Sequence, residues 1–354
     1  MEKDISTILK RAVDENASDI FIIAGTSLCF KIQGVIRKVY PDVLTPADTL
    51  AYIDQIYKMR KDNHNDYIVS GEDDFSFSMN MVGRFRANIF YQRGSISAVL
   101  RVVKFELPDP IALKIPEAVL DLHKLNKGLV LVTGSAGSGK STTLACLIDL
   151  INKQRNNHII TIEDPIEFLH RHQQSIVSQR EIGSDTRDYA DALKAALREA
   201  PNVILIGEMR DLETIQIALS AAETGHLIFS TLHTMSAAET INRIIDVFPA
   251  SSKHQIAVQL SSSLKAIVCQ QLVQGREGML PAFEILRTNK AISTMIREEK
   301  IQQIDNAIQA GKDEGMIALD DYLLDLYNNG SISLEAMLDS ANNPEMIKKR
   351  MNKH

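Results

Sequence analysis

The sequence predicts a two-domain chain, a small α+β domain followed by an α/β domain built on a parallel sheet. Before residue 105, stretches that alternate polar and apolar residues predict antiparallel strands. After residue 120, short apolar runs alternate with helical patterns, which is typical of a doubly wound parallel sheet. Between them, FELPDPIALKIPEAVL contains three prolines and is interpreted as an interdomain linker.

The first domain is predicted to span 1–104. Apolar residues at helical spacing follow Ile5, and Pro46 to Lys61 reads as a second helix with Thr45 as its N-cap. A strand is expected at Asp19 to Ile23, and then a hairpin that turns at Gln33-Gly34. Three further antiparallel strands are expected in DFSFSMNMV, RFRANIFYQR and SISAVLRVV.

The second domain is predicted at 121–274, after the linker at 105–120, and a mostly helical region at 275–354 follows it. Its strands are expected in GLVLVTG, HIITIE, NVILIGE and HLIFSTLH, each followed by a helical pattern. In such a sheet the carboxyl ends of the strands form the ligand-binding edge, so the residues after each strand are the candidates for function.

Composition excludes some classes of protein. The formal net charge of −6 and the 5% aromatic content give no basic channel or stacking platform for nucleic acid. The three cysteines, Cys29, Cys146 and Cys269, are far apart and are expected to be inert thiols. Since no signal peptide or membrane-spanning run is evident, a cytoplasmic protein without membrane insertion is expected.

The first predicted strand of the second domain ends in a phosphate-binding loop, GSAGSGKS, which matches G-x-x-x-x-G-K-[ST]. Its glycines can aim successive N–H groups at an anion, and the following helix adds its positive end. Lys140 is expected to reach the β- and γ-phosphates, and Ser141 to ligate Mg²⁺. The predicted nucleotide-binding residues are Gly134, Ser135, Ala136, Gly137, Ser138, Gly139, Lys140, Ser141 and Thr142.

Polar residues follow three other predicted strands. Glu163 and Asp164 end one strand and Glu208 follows another, so these acids could hold Mg²⁺ and activate an attacking water. HLIFSTLHT adds two histidines, His226 and His233, and the second stands at the exit of a third strand, where a contact with a γ-phosphate is expected.

Four motifs in this order resemble one family. The phosphate loop, TIEDPIEF, GEMRD and TGHLIFSTLHT are similar to the motifs of secretion-superfamily motor ATPases, in particular the PilT-type retraction ATPases of type IV pili. The resemblance covers essentially the whole chain. It implies a PAS-like N-terminal domain, a RecA-like P-loop ATPase domain with a helical C-terminal extension, and a homo-hexamer with ATP between the two domains. It also implies ATP hydrolysis with Mg²⁺ that drives pilus retraction and twitching motility through a membrane platform protein.

The resemblance also implies residue roles. Glu163 matches the general base, Glu208 the Walker B acid that coordinates Mg²⁺, and His233 the γ-phosphate sensor. Arg86 and Arg101 match the arginines that reach phosphates from the N-terminal domain. Other arginines stay open as alternatives, namely Arg84, Arg93 and Arg210.

One departure from the family pattern bears on direction. Retraction motors commonly carry an AIRN-type motif in the C-terminal region, whereas this chain reads AISTMIR from Ala291 to Arg297. The alternatives are therefore a pilus assembly or type II secretion ATPase, and an accessory paralogue that needs a partner motor. From other classes, a nucleic-acid motor with a RecA-like core and a non-catalytic ring are also considered.

Overall fold

In a computed structural model the chain is described over 4–60, 71–103, 107–276 and 278–351. It divides into two compact units. The first comprises 1–106 together with 166–169, and the second comprises 107–165 and 170–354. The predicted domain boundaries at 105, 121 and 275 stay predictions.

The described part of the first unit is a six-stranded antiparallel sheet with helices packed on one face. The helices are α1 (Ile5–Asp14) and α2 (Pro46–Met59). The strands are β1 (Asp19–Ile22), β2 (Ser27–Ile32), β3 (Val35–Val43), β4 (Glu72–Met79), β5 (Gly83–Gln92) and β6 (Ser95–Val103), in the order β3-β2-β1-β6-β5-β4.

Local sequence signals in this unit appear in the structure where they were expected. The β2–β3 hairpin turns at Gln33 and Gly34, whose φ angles of 51° and 81° are those of a left-handed turn. Thr45 forms a capping box with Asp48 at the start of α2. The predicted helix extends to residue 61, and its last residue lies outside the described part of the chain.

The second unit contains, in its described residues, a seven-stranded sheet of order β13-β12-β7-β11-β10-β8-β9. Only β13 is antiparallel to its neighbour. Apolar clusters cover both faces, so the central strands are buried throughout. The strands are β7 (Gly128–Thr133), β8 (His158–Glu163), β9 (Ile176–Glu181), β10 (Val203–Ile206), β11 (Leu227–Leu232), β12 (Leu264–Gly275) and β13 (Gly278–Arg287).

Helices connect these strands and continue after the sheet. The helices within the sheet region are α3 (Glu117–Leu120), α4 (Lys140–Gln154), α5 (Tyr189–Ala196), α6 (Leu212–Glu223), α7 (Ala237–Asp246) and α8 (Ala250–Ser263). After the sheet come α9 (Lys290–Arg297), α10 (Ile304–Ala310), α11 (Leu319–Asn328), α12 (Leu334–Ser340) and α13 (Pro344–Met351). Short 3-10 helices lie at Asp121–Lys124, Ile301–Gln303 and Lys312–Glu314.

Three strands of the second unit were not predicted, namely β9, β12 and β13. Strand β9 reads IVSQRE and lies at the sheet edge, where polar residues are tolerated. Strands β12 and β13 form a long hairpin, so the region after residue 274 begins with a strand before it becomes helical. The predicted linker likewise contains α3, and Val119 in that helix is fully buried in the core of this unit.

The three cysteines lie in the interior of the described structure. Cys29, Cys146 and Cys269 are free and buried, and burial raises the pKa of the Cys146 thiol to about 12, which keeps it protonated. Among the described residues, no helix combines the length and the apolar character that a membrane span needs.

Candidate functional site

The phosphate loop connects the buried strand β7 to helix α4. Gly139 is the residue before the helix and has φ of 90°, and Gly137 has φ of 76°. Both angles are in the left-handed region that glycine enters at little cost. Gly134, with φ of 141°, has no room for a side chain because a Cβ there would overlap the carbonyl oxygen of Gln270. The glycine positions predicted from sequence are therefore required by the backbone.

Side chains within this loop fit a bound polyphosphate. Lys140 is 8% exposed, and its Nζ donates to the carbonyl oxygens of Gly134 at 2.9 Å and Ser135 at 2.8 Å. The hydroxyl of Ser138 is buried and has no partner among the described residues. A buried ammonium, an orphan hydroxyl and a helix N-terminus are together a donor set for an anion.

Glu163 is the last residue of β8 and is held by neutral donors. The hydroxyl of Thr161 donates to its Oε1 at 2.6 Å, and the amide of Gln179 donates to the same oxygen at 3.2 Å. Thr161 comes from the same strand and Gln179 from the adjacent β9. These bonds fix the direction of the carboxylate at the carboxyl edge of the sheet.

Glu208 and His233 follow two adjacent strands, and their side chains meet. Glu208 pairs with Arg210 at 2.7 Å, and its Oε1 lies 3.5 Å from Nε2 of His233. The Glu208 side chain is 17% exposed and that of His233 is 46% exposed, so both can reach a ligand. The hydrogen bond that Arg210 donates to Glu208 raises the pKa of the Arg210 guanidinium.

Backbone contacts bring the three strand ends together. Thr231 on β11 donates through its hydroxyl to the carbonyl of Gly207 at 2.6 Å. A Cβ on Gly207 would lie 2.9 Å from the hydroxyl of Tyr189 and 3.3 Å from the Cα of Glu163. Glycine at 207 therefore lets the chain that carries Glu208 pass close to the one that carries Glu163. His226 lies before β11, where its Nδ1 contacts the carbonyl of Ala221, and is not part of this edge.

The same residues suit a magnesium ion that binds together with phosphate. Among the described residues, no group of three or more His, Cys, Asp and Glu could hold a metal. Mg²⁺ usually takes one or two protein carboxylates and completes its shell with waters and substrate phosphates. The Ser141 hydroxyl and the Glu208 carboxylate are the candidate donors for such an ion.

The arginines predicted in the first unit lie on the face of the sheet opposite its helices. Arg86 and Arg101 are directly opposite on β5 and β6, and the residues beside them in each strand face the core. Arg86 is paired with Asp74 through two hydrogen bonds of 3.2 and 2.7 Å, and Arg101 with Asp19 at 3.2 Å. The aspartates offset the repulsion expected between two cations at opposed positions.

The alternative arginines have separate surroundings. Arg84 lies two residues before Arg86 on the same strand and donates to Ser78 at 3.3 Å. Arg93 lies in the β5–β6 turn with φ of 49°. Because Arg84 and Arg86 share one face of β5, the structure leaves the choice between them open.

Sequence reasoning missed the residues that support the loop from a distance. Gln270 on β12 accepts a hydrogen bond of 2.7 Å from the hydroxyl of Thr143, which is 127 residues away along the chain. Gln179 on β9 similarly donates to Glu163, and the Tyr189 hydroxyl lies beside Gly207, the residue before Glu208. No spacing in the sequence signals these contacts, because the sheet order creates them.

Comparison with known proteins assigns the class to which this fold and site belong. A model of the family described as "Type II/IV secretion system protein" matches residues 1–280. The chain belongs to this family. The predicted fold class, a PAS-like domain followed by a RecA-like P-loop domain with a helical extension, is thereby confirmed.

Particular relatives are similar over nearly the whole chain. The type IV pilus retraction ATPase PilT of Pseudomonas aeruginosa is 43% identical over 97% of this chain and 99% of its own length. The twitching motility protein of Neisseria gonorrhoeae is 40% identical over 97% of this chain and 92% of its own. A crystal structure of the pilus retraction motor PilT with bound ADP is 44% identical, covers 98% of this chain and 100% of its own, and superposes with a TM-score of 0.88.

Proposed function

We propose that this protein is a motor ATPase that hydrolyses ATP to drive retraction of a type IV pilus. The phosphate loop, Glu163, Glu208 and His233 lie at the carboxyl ends of strands of one parallel sheet, and this observation carries the proposal. The similarity to relatives named as a retraction ATPase and a twitching motility protein supports the biological role.

We assign a part of the reaction to each residue. Loop N–H groups and Lys140 bind the β- and γ-phosphates of ATP. Glu163 removes a proton from a water, whose oxygen attacks the γ-phosphorus while the bond to the β–γ bridging oxygen breaks. His233 donates to a γ-phosphate oxygen. Mg²⁺ bound near Ser141 and Glu208 would neutralise phosphate charge.

We propose that an assembly of several copies couples ATP hydrolysis to movement. Six copies would form a ring in which ATP binding and hydrolysis change the arrangement of neighbouring subunits. Arg86 and Arg101 would contact the phosphates, as arginines do in other phosphoryl-transfer enzymes. The ring would act in the cytoplasm on a platform protein of the membrane.

Substitution of Lys140 tests the enzymatic part. Lys140→Ala removes the buried ammonium, so we expect ATP turnover by the purified protein to fall at least about 100-fold, since charge stabilisation in the transition state is lost. The control is Lys153→Ala, on the exposed side of the same helix, where Lys153 pairs with Asp149. Unchanged turnover by Lys140→Ala would contradict the assignment.

Deletion of the gene in its host tests the direction of force. We expect cells that keep surface pili but neither retract them nor twitch, with rescue by the wild-type gene and not by Lys140→Ala. Loss of all surface pili would instead indicate an assembly ATPase. The type II secretion relatives are 33–35% identical, and this chain spans only 54% of their length.

An accessory motor is the second candidate, because one observation favours it. Ser293 and Thr294 lie in α9, within the AISTMIR stretch that replaces the AIRN-type motif common in retraction motors. Both residues are partly exposed. A relative named type IV pilus ATPase PilU is 38% identical over 97% of this chain. Retraction in a strain that lacks every other retraction ATPase would exclude the accessory role.

A further inference from the structure

Gln270 is the residue of β12 that lies beside both ends of the phosphate loop. Strand β12 pairs with β7 as far as Cys269 and Thr133, and Gln270 is the next residue. Its carbonyl oxygen occupies the space where a side chain at position 134 would be, and its Nε2 lies 2.8 Å from where a Cβ on Gly139 would be. One residue therefore limits the loop at its first and its last glycine.

A buried hydrogen bond joins Gln270 to the helix that follows the loop. The Thr143 hydroxyl donates to Gln270 Oε1 at 2.7 Å, and the two residues are 1% and 6% exposed. The backbone N–H of Thr143 donates to the carbonyl of Gly139 at 3.0 Å. The amide thus lies beside Gly139 and is bonded to the first turn of α4 through Thr143, next to the backbone N–H groups that would face an anion.

The amide of Gln270 is suited to supporting the phosphate loop rather than to taking part in the reaction. A neutral amide adds no charge beside a site that receives a polyphosphate, and it can accept from Thr143 while its other end packs against Gly139. A carboxylate of the same shape would accept the same bond and place a negative charge next to the phosphates. Shape and charge can therefore be varied separately at this position.

We propose that Gln270 is a positioning residue for nucleotide binding, which keeps the phosphate loop in its anion-binding shape through Gly139 and Thr143. The inference rests on the proposed function and adds a residue of a different strand to it. A contact that holds phosphate equally in the ground state and the transition state contributes to KM and not to kcat. Loss of the Gln270 contact should therefore raise KM and leave kcat unchanged.

The experiment compares Gln270→Leu with Gln274→Leu in the full-length protein. Gln274 lies on the same face of the same strand and is exposed, and its side-chain amide donates to the carbonyl of Gly275. For Gln270→Leu we expect a rise of about tenfold in the Kd for ADP, measured by calorimetry, and in KM for ATP, with kcat within about twofold. For Gln274→Leu both constants should stay at their wild-type values.

Two further variants separate positioning from general stability. Gln270→Glu keeps the shape and the bond from Thr143 but buries an ionisable group, so its Tm should fall below the wild-type value; with binding measured well below the Tm of each variant, it should bind ADP more weakly than Gln270→Leu. Thr143→Val should weaken ADP binding. In the double variant that combines it with Gln270→Leu, the loss of binding free energy for ADP should be smaller than the sum of the two single losses.

The outcomes distinguish this inference from the proposed function. Wild-type Kd for ADP in Gln270→Leu and Gln270→Glu would overturn the role of Gln270 and leave the ATPase untouched. A wild-type protein that binds ADP but does not hydrolyse ATP would overturn the proposed function, while the ADP measurements would still support or overturn the role of Gln270.

Discussion

The two glutamates at the sheet edge have different partners. Glu163 accepts from the neutral Thr161 and Gln179, whereas Glu208 is paired with the cationic Arg210. An ion-paired carboxylate suits a permanent negative charge beside a metal. The pair with Arg210 therefore agrees with the proposed role of Glu208 as the metal-side acid.

At the residue scale we expect Glu163→Gln to separate binding from chemistry. The amide keeps the size of the side chain and cannot remove a proton, so kcat should fall by about 10²–10⁴-fold. The Kd for ADP should stay within about twofold, because the phosphate loop is unchanged. Glu167→Gln, which changes an exposed residue of the same TIEDPIEF motif, is the control. A normal kcat in Glu163→Gln would remove the general-base role alone.

At the scale of elements, helix α7 follows the His233 strand and is hydrogen-bonded to the hairpin β12–β13. The side chain of Ser236 caps the helix by accepting from the N–H of Glu239, and Glu284 on β13 accepts from the N–H of Ala237 at 2.8 Å. Glu284 is 5% exposed, and burial, with smaller contributions from Asp305 and Asp320, raises its pKa to about 7. A carboxyl group that is partly protonated at neutral pH thus holds the start of α7.

The burial of Glu284 predicts a stability that depends on pH. Because the pKa of Glu284 is higher in the folded protein than in the unfolded chain, the folded state binds the extra proton between about pH 4.5 and 7. Stability from this group is complete below that window and is lost as the pH rises through it. Glu284→Gln keeps the acceptor for Ala237 and cannot ionise, so it should match wild type near pH 4 and exceed it by about 3 kcal/mol near pH 8.

Urea denaturation of both proteins at several pH values measures this difference. The free energies of unfolding should diverge as the pH rises. Parallel pH profiles for wild type and Glu284→Gln would show that Glu284 titrates in the folded protein as it does in the unfolded chain.

At the scale of the whole molecule, each unit has its own sheet and its own buried core. The candidate residues are divided between the units, with the phosphate loop and the acids in the second and Arg86 and Arg101 in the first. In the proposed ring, the arginines of one copy would serve the phosphate loop of its neighbour.

We therefore expect the purified protein to assemble with itself. Light scattering coupled to size-exclusion chromatography should give a mass six times the 39.4 kDa of one chain at high protein concentration with ADP and Mg²⁺. Ligand that binds the assembled form should shift the equilibrium toward it, so the hexamer fraction should rise with ADP. A monomer at every concentration, with and without ADP, would contradict the ring.

Much of this protein could be predicted from its sequence, because several of its features depend on local chemistry. The hairpin at Gln33-Gly34, the cap at Thr45 and the phosphate loop depend on neighbours in sequence, so their turn and capping residues identify them. Strand β9 and the hairpin β12–β13 were missed, since their residues become strands by pairing with distant parts of the sheet.

By itself the sequence determined the class of fold, the phosphate loop and the acidic and histidine residues that follow the strands, because each is written in a short contiguous pattern. Only the tertiary structure decided which side chains meet: His233 with Glu208, Gln179 with Glu163, and Gln270 with Thr143. These contacts depend on the order of strands in the sheet, which brings together residues that are far apart along the chain, and no local spacing encodes that order.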